Sequence, residues 1–349
     1  DGRRIINQTL RYLSEEGENK VSSSLLPKGS VSVSCIGSDM GKTVLVGKKS
    51  VTNQQINSVI VGDEFDNLFV YYNLSGRKRE LQFLASGAAQ PIMNKTDFSN
   101  LTIKVPLLTE QKAIASVLGV LDDKIENNLR INETLEEMVR AIFKSWFMDF
   151  DPVHSRVAGN TPMHMDTETA ALFPNSFGDD GLPVGWKTSK FEDLIEFKNG
   201  YAFESKELSK DFKTNFAIFK MGHIKVGGGF NDTCKTDYLI SEVVPNMEKY
   251  ILETGDILMS MTDMKDNVRL LGHTALFYEQ NVKFLVNQRV GHIKAKKEIT
   301  NYPYIYCLTN NKTFLNEIRK RANSGVQVNL STDGIKTTPT IMPPLSLMA

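Results

Sequence analysis

Nowhere in the 349 residues does an apolar run approach the ~20 residues that a membrane-spanning helix needs, and no charged-then-apolar leader opens the chain. A cytoplasmic location is the expectation that follows. Cysteine is scarce: Cys35, Cys234 and Cys307 lie far apart, with no CxxC pair and no histidine at metal-ligand spacing, which argues against a disulfide framework and against zinc. The 5 histidines are scattered, no Ser/His/Asp arrangement can be placed, and no acidic cluster resembles a nuclease metal site. His223 and His273 therefore read as surface or satisfied buried groups, and no catalytic residue, metal or cofactor is expected of this chain. An initiating methionine is missing too: the chain opens on Asp1 and closes at Ala349 just after Pro343-Pro344-Leu345, which reads as two cut ends of something longer.

Net charge is also absent, with 41 basic and 41 acidic residues, which counts against a nucleic-acid partner until the charges are taken by segment. Residues 1–108 hold 13 Lys/Arg against 10 Asp/Glu, 109–150 hold 5 against 8, 151–181 hold 1 against 5, and 182–349 hold 22 against 18. Two mildly basic units thus flank an acidic connector, as expected if the units face phosphates.

What is present is 41% hydrophobic residues in a chain long enough for two cores, and an internal repeat to organise them. Tyr12-Leu13 corresponds to Tyr238-Leu239, and Leu26-Pro27-Lys28-Gly29 to Leu252-Glu253-Thr254-Gly255. Thr52-Asn53-Gln54-Gln55 matches Val286-Asn287-Gln288-Arg289, Ala85-Ser86-Gly87 matches Asn323-Ser324-Gly325, and Val105-Pro106-Leu107 matches Pro343-Pro344-Leu345. The second copy has an extra front, from Leu182-Pro183-Val184-Gly185-Trp186 to about Lys225, so the first is expected to lack its own. Short β-branched or aromatic strands between Gly and Asn turns, with a helix near 303–322 and its counterpart near 67–85, predict an α+β fold: two repeated domains joined by a long coiled-coil helix. The expected boundaries are 1–108, a helix over 109–150, a linker over 151–181, the second domain over 182–343, and the start of a second helix at 344–349.

The connecting helix is expected to open at Thr109 as N-cap and to run to about Phe147. Ile114, Leu118, Leu121, Ile125, Asn128, Asn132, Leu135, Val139, Ile142 and Trp146 follow an alternating 4,3 spacing, a heptad seam with a polar centre. Asn128 and Asn132 read as register-setting residues, or else as a polar patch facing solvent. Some 38 residues make a rod of roughly 57 Å. A partner helix is expected from a missing tail or from another subunit.

Two near-motifs test for catalysis. Gly37-Ser38-Asp39-Met40-Gly41-Lys42-Thr43 has three residues between its glycines where a phosphate loop has four, and its repeat partner around Thr262 and Lys265 has no GKT. Asn301-Tyr302-Pro303-Tyr304 approaches the Asn-Pro-Pro-Tyr of amino-methyltransferases, yet no glycine-rich cofactor loop precedes it. What remains suits contact with DNA: Asn53, Gln54, Gln55, Gln90, Asn287, Gln288, Arg289 and Gln327 for base edges, where Asn and Gln pair with adenine and Arg with guanine. Lys42, Thr43, Ser86, Tyr201, Lys220, His223, Lys225, Thr262, Lys265 and Ser324 join them as further candidate contacts. The Asn-Gln pairs have a second reading, in which they fix loop backbones.

The residues at this point carry a family likeness. Pro106-Leu107-Leu108-Thr109-Glu110-Gln111-Lys112, Leu121-Asp122-Asp123-Lys124-Ile125-Glu126-Asn127-Asn128 and Ser145-Trp146-Phe147-Met148-Asp149-Phe150-Asp151-Pro152-Val153 resemble the conserved helix of Type I restriction-modification specificity subunits (HsdS). Leu182 to Trp186 looks like the opening of a target-recognition domain in that family, and Asn199-Gly200-Tyr201-Ala202-Phe203 like the loop that follows. The resemblance implies a non-catalytic scaffold that lays each recognition domain into the major groove at one half of a bipartite double-stranded DNA site. Its helices would hold the halves apart and bind two methyltransferase (HsdM) subunits, with restriction (HsdR) subunits joining afterwards; S-adenosylmethionine, magnesium and ATP would belong to those partners. About forty-five residues before Asp1 and a second conserved helix after Ala349 are missing from the family pattern. A stand-alone DNA methyltransferase or NTPase, and a structural coiled-coil adaptor, are the alternative readings.

Overall fold

The computed structural model describes residues 3–84, 92–210, 213–240, 245–264, 268–324 and 327–348, with Ser38 and Ser324 described by backbone alone. The chain divides into two compact units, Asp1–Leu135 and Glu136–Ala349. Both mix strands and helices.

In the first unit β1 (Ile5–Ile6), β2 (Val31–Ser34), β3 (Thr43–Val46) and β4 (Ile56–Val59) form a sheet in the order β1-β3-β2-β4. β1 lies parallel to β3 and the other pairs are antiparallel. The period-2 spacing of Val31 and Val33 puts both in one cluster with Phe69, Val70, Leu74 and Leu81. The helix expected near 67–85 is two helices, Asn67–Ser75 and Lys78–Leu84, broken at Gly76 and Arg77. Asp66 opens it by accepting from the Phe69 amide at 2.8 Å.

The long helix spans Leu108–Phe147, roughly 60 Å at 1.5 Å per residue. It begins before Thr109, so the expected threonine cap falls within the helix; Gln111 in the first turn donates its amide N–H to the Pro106 carbonyl (2.9 Å) while its oxygen accepts from the Asp66 amide (2.9 Å). Through Leu135 the helix has two distinct faces. Gln111 and Ala115 are 2% exposed and, with Gly119, press onto the first unit; at Gly119 a methyl group would stand 3.3 Å from Leu68. Asp122 and Asp123 continue that face: Asp122 accepts from the Tyr72 hydroxyl (2.8 Å), and Arg4 donates to Asp123 (2.5 Å), the Gly119 carbonyl (3.3 Å) and Tyr72 (3.2 Å). Burial pushes the Tyr72 hydroxyl up to about 12, with Arg4 pulling it down and Asp122 adding to the rise. The heptad seam lies elsewhere on the helix: Ile114, Leu118, Leu121, Ile125 and Leu135 are all exposed, as are Asn128 and Asn132.

In the second unit the strands are β5 (Lys187–Lys190), β6 (Ile195–Asn199), β7 (Leu208–Ser209), β8 (Phe216–Phe219), β9 (Asp237–Leu239), β10 (Ile257–Ser260), β11 (Thr262–Met264), β12 (Thr274–Leu276), β13 (Lys283–Val286), β14 (Val290–Ala295), β15 (Asn323–Ser324), β16 (Gln327–Asn329) and β17 (Pro339–Met342). They form sheets ordered β12-β10-β14-β6, β13-β8-β9-β7, β11-β16-β15 and β17-β5. Alternation along β10 sends Ile257 and Met259 into a core with Phe191, Ile293, Ile305 and Ile318, and Leu258 into another with Ala217, Ala275 and Val286. The helix expected near 303–322 is again split, into Tyr302–Asn310 and Lys312–Arg319, at Asn311, whose side chain caps the second piece.

From Glu136 onward the long helix belongs to this unit, where Phe143 and Phe147 enter the first of these cores. Trp146, expected on the seam, is half-buried with its ring 5.5 Å from Phe173, so the open seam ends with Val139 and Ile142. The expected linker is also folded: helices Asp151–Val157 and Thr167–Leu172 place Val153 (0% exposed) and Phe173 (1%) in the core. Arg156 ties them by donating to the Ala170 and Phe173 carbonyls at 2.6 and 2.5 Å. The acidic composition of this stretch belongs to its outer face.

Candidate nucleic-acid interface

The internal repeat is visible bond by bond. Gly29 and Gly255 turn the chain at φ of +90° and +95°, where only glycine sits without strain. The Asn53 side chain accepts from the Gln55 amide (3.1 Å), and that of Asn287 from the Arg289 amide (3.2 Å), the same side-chain-closed turn twice. The next link repeats as well. Cys35 N donates to the Gln55 carbonyl (2.9 Å) and Met93 N to the Cys35 carbonyl (3.0 Å); Met261 N donates to the Arg289 carbonyl (3.3 Å) and Leu330 N to the Met261 carbonyl (2.8 Å). One correspondence does not hold: Leu239 is buried in β9, whereas Tyr12 and Leu13 are exposed and outside any strand. β9 is held by β7 and β8, which have no counterpart among the described residues of the first unit.

The two readings of the Asn-Gln pairs separate by residue. Asn53 and Asn287 fix the backbone, while Gln54, Gln55, Gln288 and Arg289 project into solvent. In the second unit the turn is tied further by Gln288 N to the Tyr201 carbonyl (2.8 Å), Asn287 N to the Phe219 carbonyl (3.0 Å) and Val290 N to the Asn287 carbonyl (2.9 Å). Gly200 lets the strand end pass against the Asn287 main chain, where a β-carbon would collide. Tyr201 packs its ring 4.9 Å from Phe203 and 5.5 Å from Tyr250, so its larger part supports the turn from inside.

Beside this turn β11 and β16 make an antiparallel ribbon that sets Thr262 opposite Asn329 and Gln327 opposite Met264, and Ser324 joins it through the backbone of β15. Gln327 is exposed, and the Thr262 hydroxyl lies 2.9 Å from the Met221 sulfur. Lys42 and Lys225 are exposed as well. Other candidates turn inward. Thr43 is 7% exposed and donates to the Gly41 carbonyl (3.2 Å), so it serves its own loop. His223 is 1% exposed; its Nδ1 accepts from the Lys220 amide (3.0 Å), which leaves Nε2 to donate to the Thr236 hydroxyl (3.1 Å). Burial lowers its pKa below the ordinary 6.5, with the Lys220 carbonyl, 3.3 Å from Nδ1, offsetting only part of it, and the neutral ring is a structural group. The half-buried Lys220 is paired with Asp237. Ser86, Gln90 and Lys265 lie outside the described residues. Among the described residues no His, Cys, Asp or Glu cluster is placed to hold a metal, and no helix is long and apolar enough to cross a membrane.

A family model described as the Type I restriction modification DNA specificity domain matches residues 4–137 and 183–347, the two repeated segments. The chain belongs to this family. Among its relatives, the MjaIX specificity subunit of Methanocaldococcus jannaschii is 21% identical over 98% of this chain and 74% of that protein. The HindI specificity subunit of Haemophilus influenzae is 32% identical over 40% of this chain and 39% of its own length. A solved Type I restriction-modification S subunit from M. genitalium, 19% identical, aligns with a TM-score of 0.48 over 93% of this chain and 74% of that one. For a specificity-domain chain the exposed polar turns are the informative surface. Asn329, Ile36 and Ile92, which were not among the candidate contacts, flank them, as does Asn323 of the repeat landmark; nearness in sequence to Gln327 and Gln90 is the signal that could have pointed to Asn329 and Ile92.

Proposed function

We propose that this chain is a DNA-reading specificity subunit of a Type I restriction-modification complex, with residues 1–108 and 182–343 each reading one half of a bipartite double-stranded site. The observation that carries this reading is the repeated turn: one hydrogen-bonded scaffold presents Gln54 and Gln55 in one unit and Gln288 and Arg289 in the other. A shared scaffold with different exposed amide and guanidinium groups is what two readers of different base sequences require. Lys42 and Lys225 supply phosphate contacts, which position the units and carry no sequence information. The chain turns over nothing itself; methyl transfer and cleavage, with S-adenosylmethionine, magnesium and ATP, belong to two methyltransferase subunits and to restriction subunits. The long helix, Leu108–Phe147, is the spacer, and its exposed seam from Ile114 to Ile142 is the assembly face.

The test is binding of the chain, with its methyltransferase partner, to duplexes carrying the intact site or either half scrambled. Each half contributes separately to affinity, and log K falls linearly with log salt. Equal affinity for all duplexes sinks the reading, and clear calorimetric binding of S-adenosylmethionine or ATP-magnesium by the isolated chain revives the enzyme.

A further inference from the structure

Each unit carries one more matched pair of positions. One residue beyond Cys35 and one before Met93, Ile36 bridges Ile92 in antiparallel fashion. One residue beyond Met261 and one before Leu330, Thr262 bridges Asn329 in the same way. The flanking residues all point inward, Cys35, Met93 and Leu330 each 3% exposed and Met261 7%. Ile92 is 56% exposed, and Ile36 and Asn329 are half-buried; the Thr262 hydroxyl is spent on the Met221 sulfur (2.9 Å). Both pairs sit beside the exposed turn by construction, since the Cys35 and Met261 amides donate to the Gln55 and Arg289 carbonyls.

In the second unit the bridge extends into the ribbon of β11 and β16. Asp263 and Val328, the next pair, face inward: the Asp263 carboxylate accepts from the Leu270 (2.6 Å) and Leu271 (3.1 Å) amides, and Val328 packs on the core. Met264 and Gln327, the pair after that, face outward and are exposed, and Asn323 of β15 stands exposed opposite Asn329. The outer face thus carries the amides of Gln327, Asn329 and Asn323 beside the Met264 thioether, on a small antiparallel sheet whose β11 and β16 are the kind of two-stranded ribbon that the major groove admits. Asn329 donates one N–H to the Gln327 carbonyl (3.2 Å). That bond holds the amide and leaves its second N–H and its oxygen free, one donor and one acceptor as the N7 and N6 of an adenine require.

We propose that this bridge marks the base-reading positions of each unit: Asn329, with Gln327, reads adenine in one half-site, and Ile36 with Ile92 reads a thymine methyl group in the other. The assignment rests on the DNA-reading function argued above and deepens it. Two isoleucines have no hydrogen bond to offer, so apolar contact with the thymine C5 methyl is the discrimination open to them. The bridge itself is made by main-chain groups, so its side chains vary without loss of the scaffold.

The experiment selects bound sequences from a pool of duplexes randomised within both half-sites, using the full chain assembled with its methyltransferase partner. Asn329→Ala is expected to lose adenine preference at one position of one half-site by about ten-fold to a hundred-fold, and Ile92→Asn to lose thymine preference at one position of the other. In each case the opposite half keeps its sequence. Gln327→Ala, at an exposed position, carries the same test should Asn329→Ala fold poorly. Variants that fold as the wild type and select the wild-type bases at every position overturn the assignment. A wild-type complex that selects no sequence at all overturns the proposed function, and this assignment with it.

Discussion

Replacing Asn287 by alanine removes one bond from a turn that has several. The Asn287 oxygen accepts from the Arg289 amide at 3.2 Å, while the main-chain bonds to Phe219, Tyr201 and Val290 survive. A single side-chain-to-backbone hydrogen bond at a half-buried site contributes about 1 kcal/mol, so the melting temperature of the second unit should fall by a few degrees with the fold kept. The consequence for DNA is larger in kind than in size. Gln288 and Arg289 lose the closure that fixes their direction, and a loss of about 1 kcal/mol in binding is roughly five-fold in affinity. That loss belongs to one half-site only, and Asn53→Ala should reproduce it in the other. The assay is fluorescence anisotropy of the chain with its methyltransferase partner on duplexes in which one half is scrambled. If Asn287→Ala lowers the melting temperature as expected yet leaves discrimination at both halves untouched, the turn is only structural and the argument from shared scaffold to reading fails.

Further outcomes follow from the packing. Arg4→Met keeps the stem but removes the bonds to Tyr72, Gly119 and Asp123; because Asp123 is 67% exposed and can rehydrate, the cost is about 1–2 kcal/mol. Hydrogen exchange should quicken in β1 and β3 while tryptophan fluorescence stays unchanged, since both tryptophans, Trp146 and Trp186, lie in the second unit. Phe173→Ala, at 1% exposure, should cost about 3–5 kcal/mol in urea unfolding followed by tryptophan, whereas a true linker residue would cost nothing. Leu121 is 55% exposed, so Leu121→Asp should leave the circular dichroism of the chain unchanged but reduce the mass of its complex with the methyltransferase in light scattering; an unchanged mass counts against the seam as an assembly face. His223 and His273 are held below the ordinary 6.5, each by burial first, with Arg319 adding to the effect at His273. Folding then favours the neutral rings, so their contribution is complete above pH 6.5 and is lost as the pH falls through the depressed values. A tryptophan-detected melting temperature that does not drop as the pH is lowered below 6.5 would contradict this.

Much of the scaffold was legible because the residues that shape backbone are few and fixed in kind. Gly29 and Gly255, and Asn53 and Asn287, recur in the same order in both copies since a left-handed φ or a side-chain-closed turn tolerates little else. The heptad seam was legible through its period, but the face that the long helix turns to its own unit was not: Gln111, Ala115 and Gly119 are small or polar and leave no hydrophobic signal, although their smallness is what permits the close approach. The folded stretch over 151–181 was missed for a related reason, since Val153 and Phe173 are buried without any periodicity between them. The candidate reading pairs were the least legible of all. Ile36 meets Ile92, and Thr262 meets Asn329, only after the chain has folded, and nothing local marks Ile36, Ile92 or Asn329. That illegibility has a physical cause that bears on function. The bridge is built from main-chain hydrogen bonds and its outward side chains touch little of the core, so folding places almost no demand on their identity. Positions with such freedom are where a repeated scaffold can present amides to one half of a target and isoleucines to the other without being rebuilt.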